Sequence, residues 1–353
     1  MKQDLLAHPG QFLDKMIINM KGMNVVDNNQ QQLLAQYAIL QYVDIFLNFI
    51  SFDNLYVNTL LFSFLVFPGS IALFKVFYTA YNKPLPAFCT LLLPSVLFWT
   101  SELYKDGIFY MAIGYFLYIL LKPRKQIILN GILILICLYI MILSRANAII
   151  TLLPALFFFF LSQKKWFGKK VNPVVVLAAV ILTAVFINYV IPGGLLARVS
   201  ERQKEFQLLT GGSKIYLPAL EPTATGFLTV FPAALANGFF QPFPGAGGKS
   251  VYNLFSIELL IIWFIILYAC WLLTRKKTIK LSNFDISCLL FALPGLIVIG
   301  YMIPFAGAII RYRSIYLPFL LAPFVNIICN YPVKSFLSIN NWLSRNVIVS
   351  ERN

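Results

Sequence analysis

Apolar runs that carry charge almost only at their ends constrain this chain more than any other feature. Nine can be marked, over residues 55–78, 85–101, 107–121, 127–143, 147–162, 173–191, 255–273, 284–304 and 314–330. A helix needs roughly 17 to 25 apolar residues to cross a bilayer, so several runs are short and their boundaries can move by a few residues. Helices close their backbone hydrogen bonds within the segment, which lipid demands. A membrane barrel would show alternating strands of about ten residues, and none is visible. With 59% hydrophobic and 12% charged residues among 353, an ordinary soluble domain is excluded. The fold class expected is all-α: a polytopic transmembrane helix bundle of about nine spans.

Charge sorts the connections into two sets. One holds Lys83; Lys122, Arg124 and Lys125; Lys164, Lys165, Lys169 and Lys170; and Arg275, Lys276, Lys277 and Lys280, and the tail adds Lys334, Arg345 and Arg352. Acidic residues are nearly absent there, apart from Glu351 and the boundary Asp285. Basic residues at every second connection are the positive-inside pattern. They account for much of the net charge of +15, and no nucleic acid partner is needed to explain it. The C-terminus is expected in the cytoplasm, with residues 331–353 as a cytoplasmic tail after a bundle at 55–330.

Residues 1–54 lack the basic start and uninterrupted apolar core of a signal peptide. They read as interfacial, amphipathic and extracytoplasmic. Phe12, Leu13, Met16, Ile17 and Met20 share helical spacing. Gln36, Gln41, Asp44 and Asn48 run along one side of 33–50, too many polar groups for an easy span. Residues 21–32 read as a loop. Either an upstream helix precedes this sequence or the segment crosses together with the first span; both stay open.

Five cysteines, Cys89, Cys137, Cys270, Cys288 and Cys329, lie in apolar runs without a CxxC pair and read as small buried hydrophobes. His8 is the single histidine, which argues against a histidine-based metal site and a Ser-His-Asp triad. No glycine-rich nucleotide loop is present, so neither metal nor cofactor is expected.

The opposite face holds the turns with chemistry in them. Residues 94–107 read Pro-Ser-Val-Leu-Phe-Trp-Thr-Ser-Glu-Leu-Tyr-Lys-Asp-Gly and set Glu102, Lys105 and Asp106 at a tight turn between two apolar runs. Ser144-Arg145-Ala146-Asn147 and Arg311-Tyr312-Arg313 are further polar turns on this face. Charges so near hydrocarbon are paired or used. For Glu102, Lys105 and Asp106 the alternatives are a solvated turn and part of a site facing water at the membrane surface. For Arg145 and Arg311 they are pairing with Glu102, Asp106 or Glu221, and binding of a phosphate.

The 192–254 connection belongs to the same face. Arg198, Glu201, Arg202, Lys204 and Glu205 make 196–209 a charged amphipathic stretch that Gly211-Gly212 stops. Residues 227–240 are apolar but short of a clear span, and read as a re-entrant or interfacial helix. Residues 241–248, rich in proline and glycine, read as a loop. A connection this long is more often functional than idle. No internal repeat is seen, which weakens a transporter built from inverted halves.

The run Pro94 to Ser101 followed by Lys105-Asp106-Gly107 resembles a motif of bacterial polytopic proteins from envelope-polysaccharide clusters, and residues 54–64, 232–244 and 307–313 are similar to parts of the same group. That group resembles GT-C-type glycosyltransferases and O-antigen-polymerase-like enzymes. The resemblance implies a helix bundle of the inner membrane with interfacial helices outside, and sugar transfer from a polyprenyl-phosphate carrier. The family's catalytic acid follows a first helix, and its carry-over to Asp4 or Asp14 stays open.

Such transfer needs a cationic clamp for the departing phosphate and a carboxylate for the acceptor proton. Arg145, Arg311 and Arg313 suit the clamp, with Asn147 beside it, since guanidinium forks match phosphate oxygens. Glu102 or Asp106 suits the base, with Lys105 tuning it. The partners expected are a polyprenyl-phosphate-linked sugar and membrane lipids. A lipid or polysaccharide flippase or transporter is the alternative, which would place charges midway along spans. A non-catalytic membrane subunit is a third. Cysteines introduced at Lys83, Lys125, Lys169 and Lys277 are expected to label from the cytoplasm, and those at Lys105, Arg145, Lys214 and Arg311 from the other side. Labelling of positions 105 and 277 from one side would overturn this topology.

Overall fold

The computed structural model describes residues 29–121, 126–163, 193–244, 250–275 and 281–331, together with positions 182 and 186; for residues 29–39 and 250 it describes the backbone alone. Asp4, His8, Asp14, the 12–20 segment, most of the 173–191 run and most of the basic connections lie outside the described residues. The regular elements are α1 (Asn29–Ser51), α2 (Leu55–Tyr81), α3 (Pro84–Phe88), α4 (Pro94–Ser101), α5 (Lys105–Leu121) and α6 (Ile127–Gln163). They continue with α7 (Gly194–Leu208), α8 (Ala224–Phe240), α9 (Ser250–Arg275), α10 (Asn283–Met302), α11 (Ala306–Ser314) and α12 (Leu317–Cys329). The fold is all-helical; among the described residues the β-type pairing is one isolated antiparallel bridge between Lys214 and Phe305.

Four of these helices are long and apolar enough to cross a membrane: Leu55–Tyr81, Ile127–Ser162, Val251–Arg275 and Asn283–Met302. The pair α11 and α12, bent by 61°, would make a fifth. This is a multi-pass membrane architecture. Helix α6 is longer than one crossing, since 37 residues at about 1.5 Å each exceed a hydrocarbon layer of about 30 Å. Arg145, at φ −152° and ψ 69°, leaves the helical region and divides it.

The 85–101 run differs from the single span expected. Prolines divide it. Pro84 opens the five-residue α3, and Pro94 disfavours helical backbone at Leu93 and starts α4 anew.

Two compact units share the chain, one from 1–76 and 97–146, the other from 77–96 and 147–353. The core of the first joins Leu47 of α1, Phe62 and Val66 of α2, and Ile108 of α5. Helices α2 and α5 touch through glycine: a Cβ on Gly114 would stand 2.1 Å from the Gly69 carbonyl oxygen, and one on Gly69 2.4 Å from the Met111 Cα. Asn58, on α2 and 2% exposed, gives its amide to Asp44 (3.2 Å) and Asn48 of α1.

In the second unit α8 packs on α10 by the same device. A Cβ on Gly300 would lie 2.0 Å from the Ala234 carbonyl oxygen, and one on Gly238 2.2 Å from that of Leu296. Small residues let membrane helices approach closely when water no longer drives them together. Residues 227–240 are thus part of α8, seated against α10. Helix α10 begins with a capping box: Ser282 Oγ accepts from the Asp285 amide (3.1 Å), and Asp285 accepts from the Ser282 amide (2.7 Å). Ala269 and Leu272 of α9 pack on Ile327 and Ile328 of α12. An aromatic group of Phe77, Phe284, Phe291 and Phe319 fills the space beside α12. Partial burial lowers the pKa of Lys83, between α2 and α3, from the ordinary lysine value.

Segment 194–220 is held as firmly. Gln203 of α7 is fully buried, donates to the carbonyls of Tyr301 (2.8 Å) and Pro218 (3.1 Å), and accepts from the Leu220 amide (2.8 Å). Where the chain breaks between α10 and α11, Ile215 N donates to Pro304 O (2.7 Å) and Ala306 N to Ser213 O (2.9 Å). Asn237 of α8 covers the carbonyls of Gly300 and Ile303 at 3.0 and 2.8 Å.

The glycine contacts give a direct expectation. Gly300→Val and Gly114→Val each force backbone apart and should lower stability by at least the roughly 1–3 kcal/mol typical of overpacking. Gly212→Ala, where an added Cβ meets nothing within 4 Å, should leave it unchanged. Thermal unfolding in detergent, followed by loss of the monodisperse species, measures the difference.

Candidate functional site

The 94–107 stretch does not form a solvated turn. It folds as α4, a short connection and the first turn of α5, with Asp106 0% and Lys105 6% exposed. Gly107 explains the tight join: an added Cβ would come 2.5 Å from the Thr100 carbonyl oxygen and 2.9 Å from the Phe62 ring. Ser63 Oγ lies 2.8 Å from the Ser101 carbonyl oxygen, tying α2 to the end of α4. Trp99 stands between Phe98 and Tyr104, with ring centroids at 4.9 and 5.6 Å.

Asp106 meets Arg145. The Arg145 Nε donates to Asp106 Oδ1 at 2.8 Å, and its Nη2 donates to the same oxygen. The side chains are 0% and 7% exposed. Position in the first turn of α5 also favours the Asp106 carboxylate, because helix N-termini carry partial positive charge. The residue that breaks α6 is therefore the one that answers the buried carboxylate. Of the two alternatives the sequence left for Arg145, pairing with Asp106 is the arrangement present. Glu102 is half-buried in the same unit and, among the described residues, stands outside any ion pair.

The other expected site residues belong to the second unit. Asn147 is exposed. Arg311 is half-buried, its guanidinium carbon 5.2 Å from the centre of the Tyr312 ring, a cation–π contact. Arg313 is 2% exposed and donates from Nη1 to the Gln241 carbonyl oxygen at 2.5 Å, while its Nε is buried without a hydrogen-bond partner.

A further charged residue escaped the sequence reading. Glu258 stands in the apolar helix α9 and is 9% exposed. Its Oε1 accepts from Ser95 Oγ (3.0 Å), and both carboxylate oxygens lie 3.2 Å from the Ser95 amide nitrogen at the start of α4. Arg313 is the charged side chain whose field acts on it. The signal was present, because an acidic residue inside an apolar 26-residue helix marks a functional position by default.

The end of α8 gathers donors from α9 and α11. Its last carbonyls have no helical partner. Trp263 Nε1 donates to Phe239 O (3.0 Å), Arg313 to Gln241 O, and Ser256 Oγ to Pro242 O (2.9 Å). Besides the capped Asp285, the buried charges among the described residues are Lys105, Asp106 and Arg145 in the first unit and Glu258 and Arg313 in the second. No protein-family model, curated protein or solved structure matches the chain.

Breaking a buried pair on one side leaves an uncompensated charge, at roughly 3–5 kcal/mol. Arg145→Gln and Asp106→Asn should each lose about that much, and the double variant should recover most of it. Unfolding midpoints of the four proteins test this; additive losses in the double variant would contradict a paired role.

Proposed function

We propose that the chain is an integral membrane glycosyltransferase or polymerase of envelope polysaccharide assembly that draws its sugar from a polyprenyl-phosphate carrier. On this reading it sits in a bacterial inner membrane, with residues 192–254 outside and the C-terminus in the cytoplasm. The resemblance of the 94–107 stretch supplies the reaction class. The observation that carries it is Arg313. A guanidinium 2% exposed in apolar surroundings is expensive unless anions or dipoles meet it; one carbonyl and the field of Glu258 meet only part of it, and its Nε has no hydrogen-bond partner. A departing phosphate is an anion that fits the remaining fork.

Glu258 favours a second reading, a lipid or polysaccharide flippase, because it puts a carboxylate inside a span rather than at a turn. The two separate by sidedness. In cells depleted of a transferase, lipid-linked sugar accumulates on the outer leaflet; in cells depleted of a flippase it stays on the inner leaflet. The transferase reading expects the first. It also expects Arg313→Lys to lose most polysaccharide while the protein accumulates normally, because an ammonium lacks the bidentate fork. Full synthesis by Arg313→Ala would overturn it.

A further inference from the structure

Asp106 and Glu258 are both buried carboxylates, and they are held differently. Asp106 accepts two N–H groups of the Arg145 guanidinium on one oxygen and is fully removed from solvent. That oxygen is already engaged by the guanidinium. Among the described residues Glu258 makes no ion pair; its donors are the amide and the hydroxyl of Ser95. An ionised carboxylate offers about four lone-pair positions, so acceptor capacity is left over.

Capping α4 does not explain a charge at this position. The Ser95 amide and hydroxyl would be satisfied by a neutral acceptor such as glutamine, without an ion in an apolar helix. Nor does holding Gln241 explain an arginine, since one of its five N–H groups suffices for that bond and the buried Nε has none. Arg313 and the helix that carries Glu258 both hold the chain just after α8. Ser256, two residues before Glu258, binds the Pro242 carbonyl, and Arg313 binds the Gln241 carbonyl directly before it. Tyr252 of α9 also lies against Gly307 of α11, where an added Cβ would meet its hydroxyl at 2.9 Å, so the helices bearing Glu258 and Arg313 adjoin.

We propose that Glu258, rather than Asp106, is the carboxylate that takes the acceptor proton, with Arg313 receiving the departing phosphate. This rests on the glycosyl-transfer reading. The acceptor hydroxyl oxygen bonds to the anomeric carbon of the donor as the bond from that carbon to the phosphate oxygen breaks. The electron pair leaves on the phosphate, whose charge Arg313 meets, and the hydroxyl proton passes to a Glu258 oxygen. The ligand is a phosphate ester on a lipid tail, brought in by a protein whose spans face hydrocarbon.

The test uses the full chain in nanodiscs with farnesyl methyl phosphate as the binding probe, inorganic phosphate as competitor, and polysaccharide assembly in cells as the activity. Glu258→Gln should lose about a hundredfold or more in assembly, within the range for a general base. It should bind the probe at least as tightly as the unaltered chain, because a negative charge beside the phosphate is gone. Arg313→Gln should lose probe binding, and inorganic phosphate should not compete. If Glu258→Gln does not accumulate, Glu258→Asp takes its place and should lose assembly while keeping the probe. Assembly at the unaltered rate by either Glu258 variant overturns the assignment while leaving the transferase reading intact. Equal competition by inorganic phosphate overturns the lipid ester. If the unaltered chain does not bind the probe and its deletion leaves polysaccharide intact, the transferase reading falls and the assignment with it.

Discussion

A charge withdrawn from water has to be answered by an opposite charge or by aligned dipoles, and that requirement shapes this protein at its least apolar points. Arg145 leaves helical backbone geometry in the middle of α6, and its guanidinium reaches Asp106 at the start of α5. Asp285 of α10 is answered locally by its capping box. Glu258 takes the exposed amide end of α4, and Arg313 the carbonyl end of α8. Each of these charges meets a place where a helix starts, stops or breaks, because there the backbone has groups to spare.

The second organising element is close backbone contact. Gly69 with Gly114 in one unit, and Gly238 and Gly300 with their partners in the other, bring helices together at distances no side chain would allow. These contacts fix where the charged groups arrive. Gly107 does the same at the Lys-Asp-Gly step, where it lets α5 start directly against the Thr100 carbonyl. The motif is thereby legible twice, as chemistry in Asp106 and as geometry in Gly107.

Much of the fold was readable from the apolar runs, because hydropathy and helix length are local properties. The helices at 55–81, 250–275 and 283–302 fall close to the runs expected there. The 85–101 run was not readable as one element, since apolar composition conceals the proline at 94 that restarts the helix. Pairing of Arg145 with Asp106 was among the sequence alternatives, because a stray arginine next to hydrocarbon has few acceptable partners. Glu258 went unread for the opposite reason. Attention to charged turns passes over a single acid inside a helix, and its partner Ser95 is 163 residues away.

The bridge between residues 213–215 and 304–306 bears on how this protein can change in length over evolution. The chain between α10 and α11 leaves carbonyls and amides without helical partners, and Ser213, Ile215 and Asn237 supply them. The stretch following α7 is therefore a built-in plug for a broken helix rather than an appendage. Insertions can collect at Gly211-Gly212, both exposed. Two residues further on, an added or deleted residue would shift the donors out of register and unseat the break. Relatives should vary in length on one side of that point and hold it constant on the other.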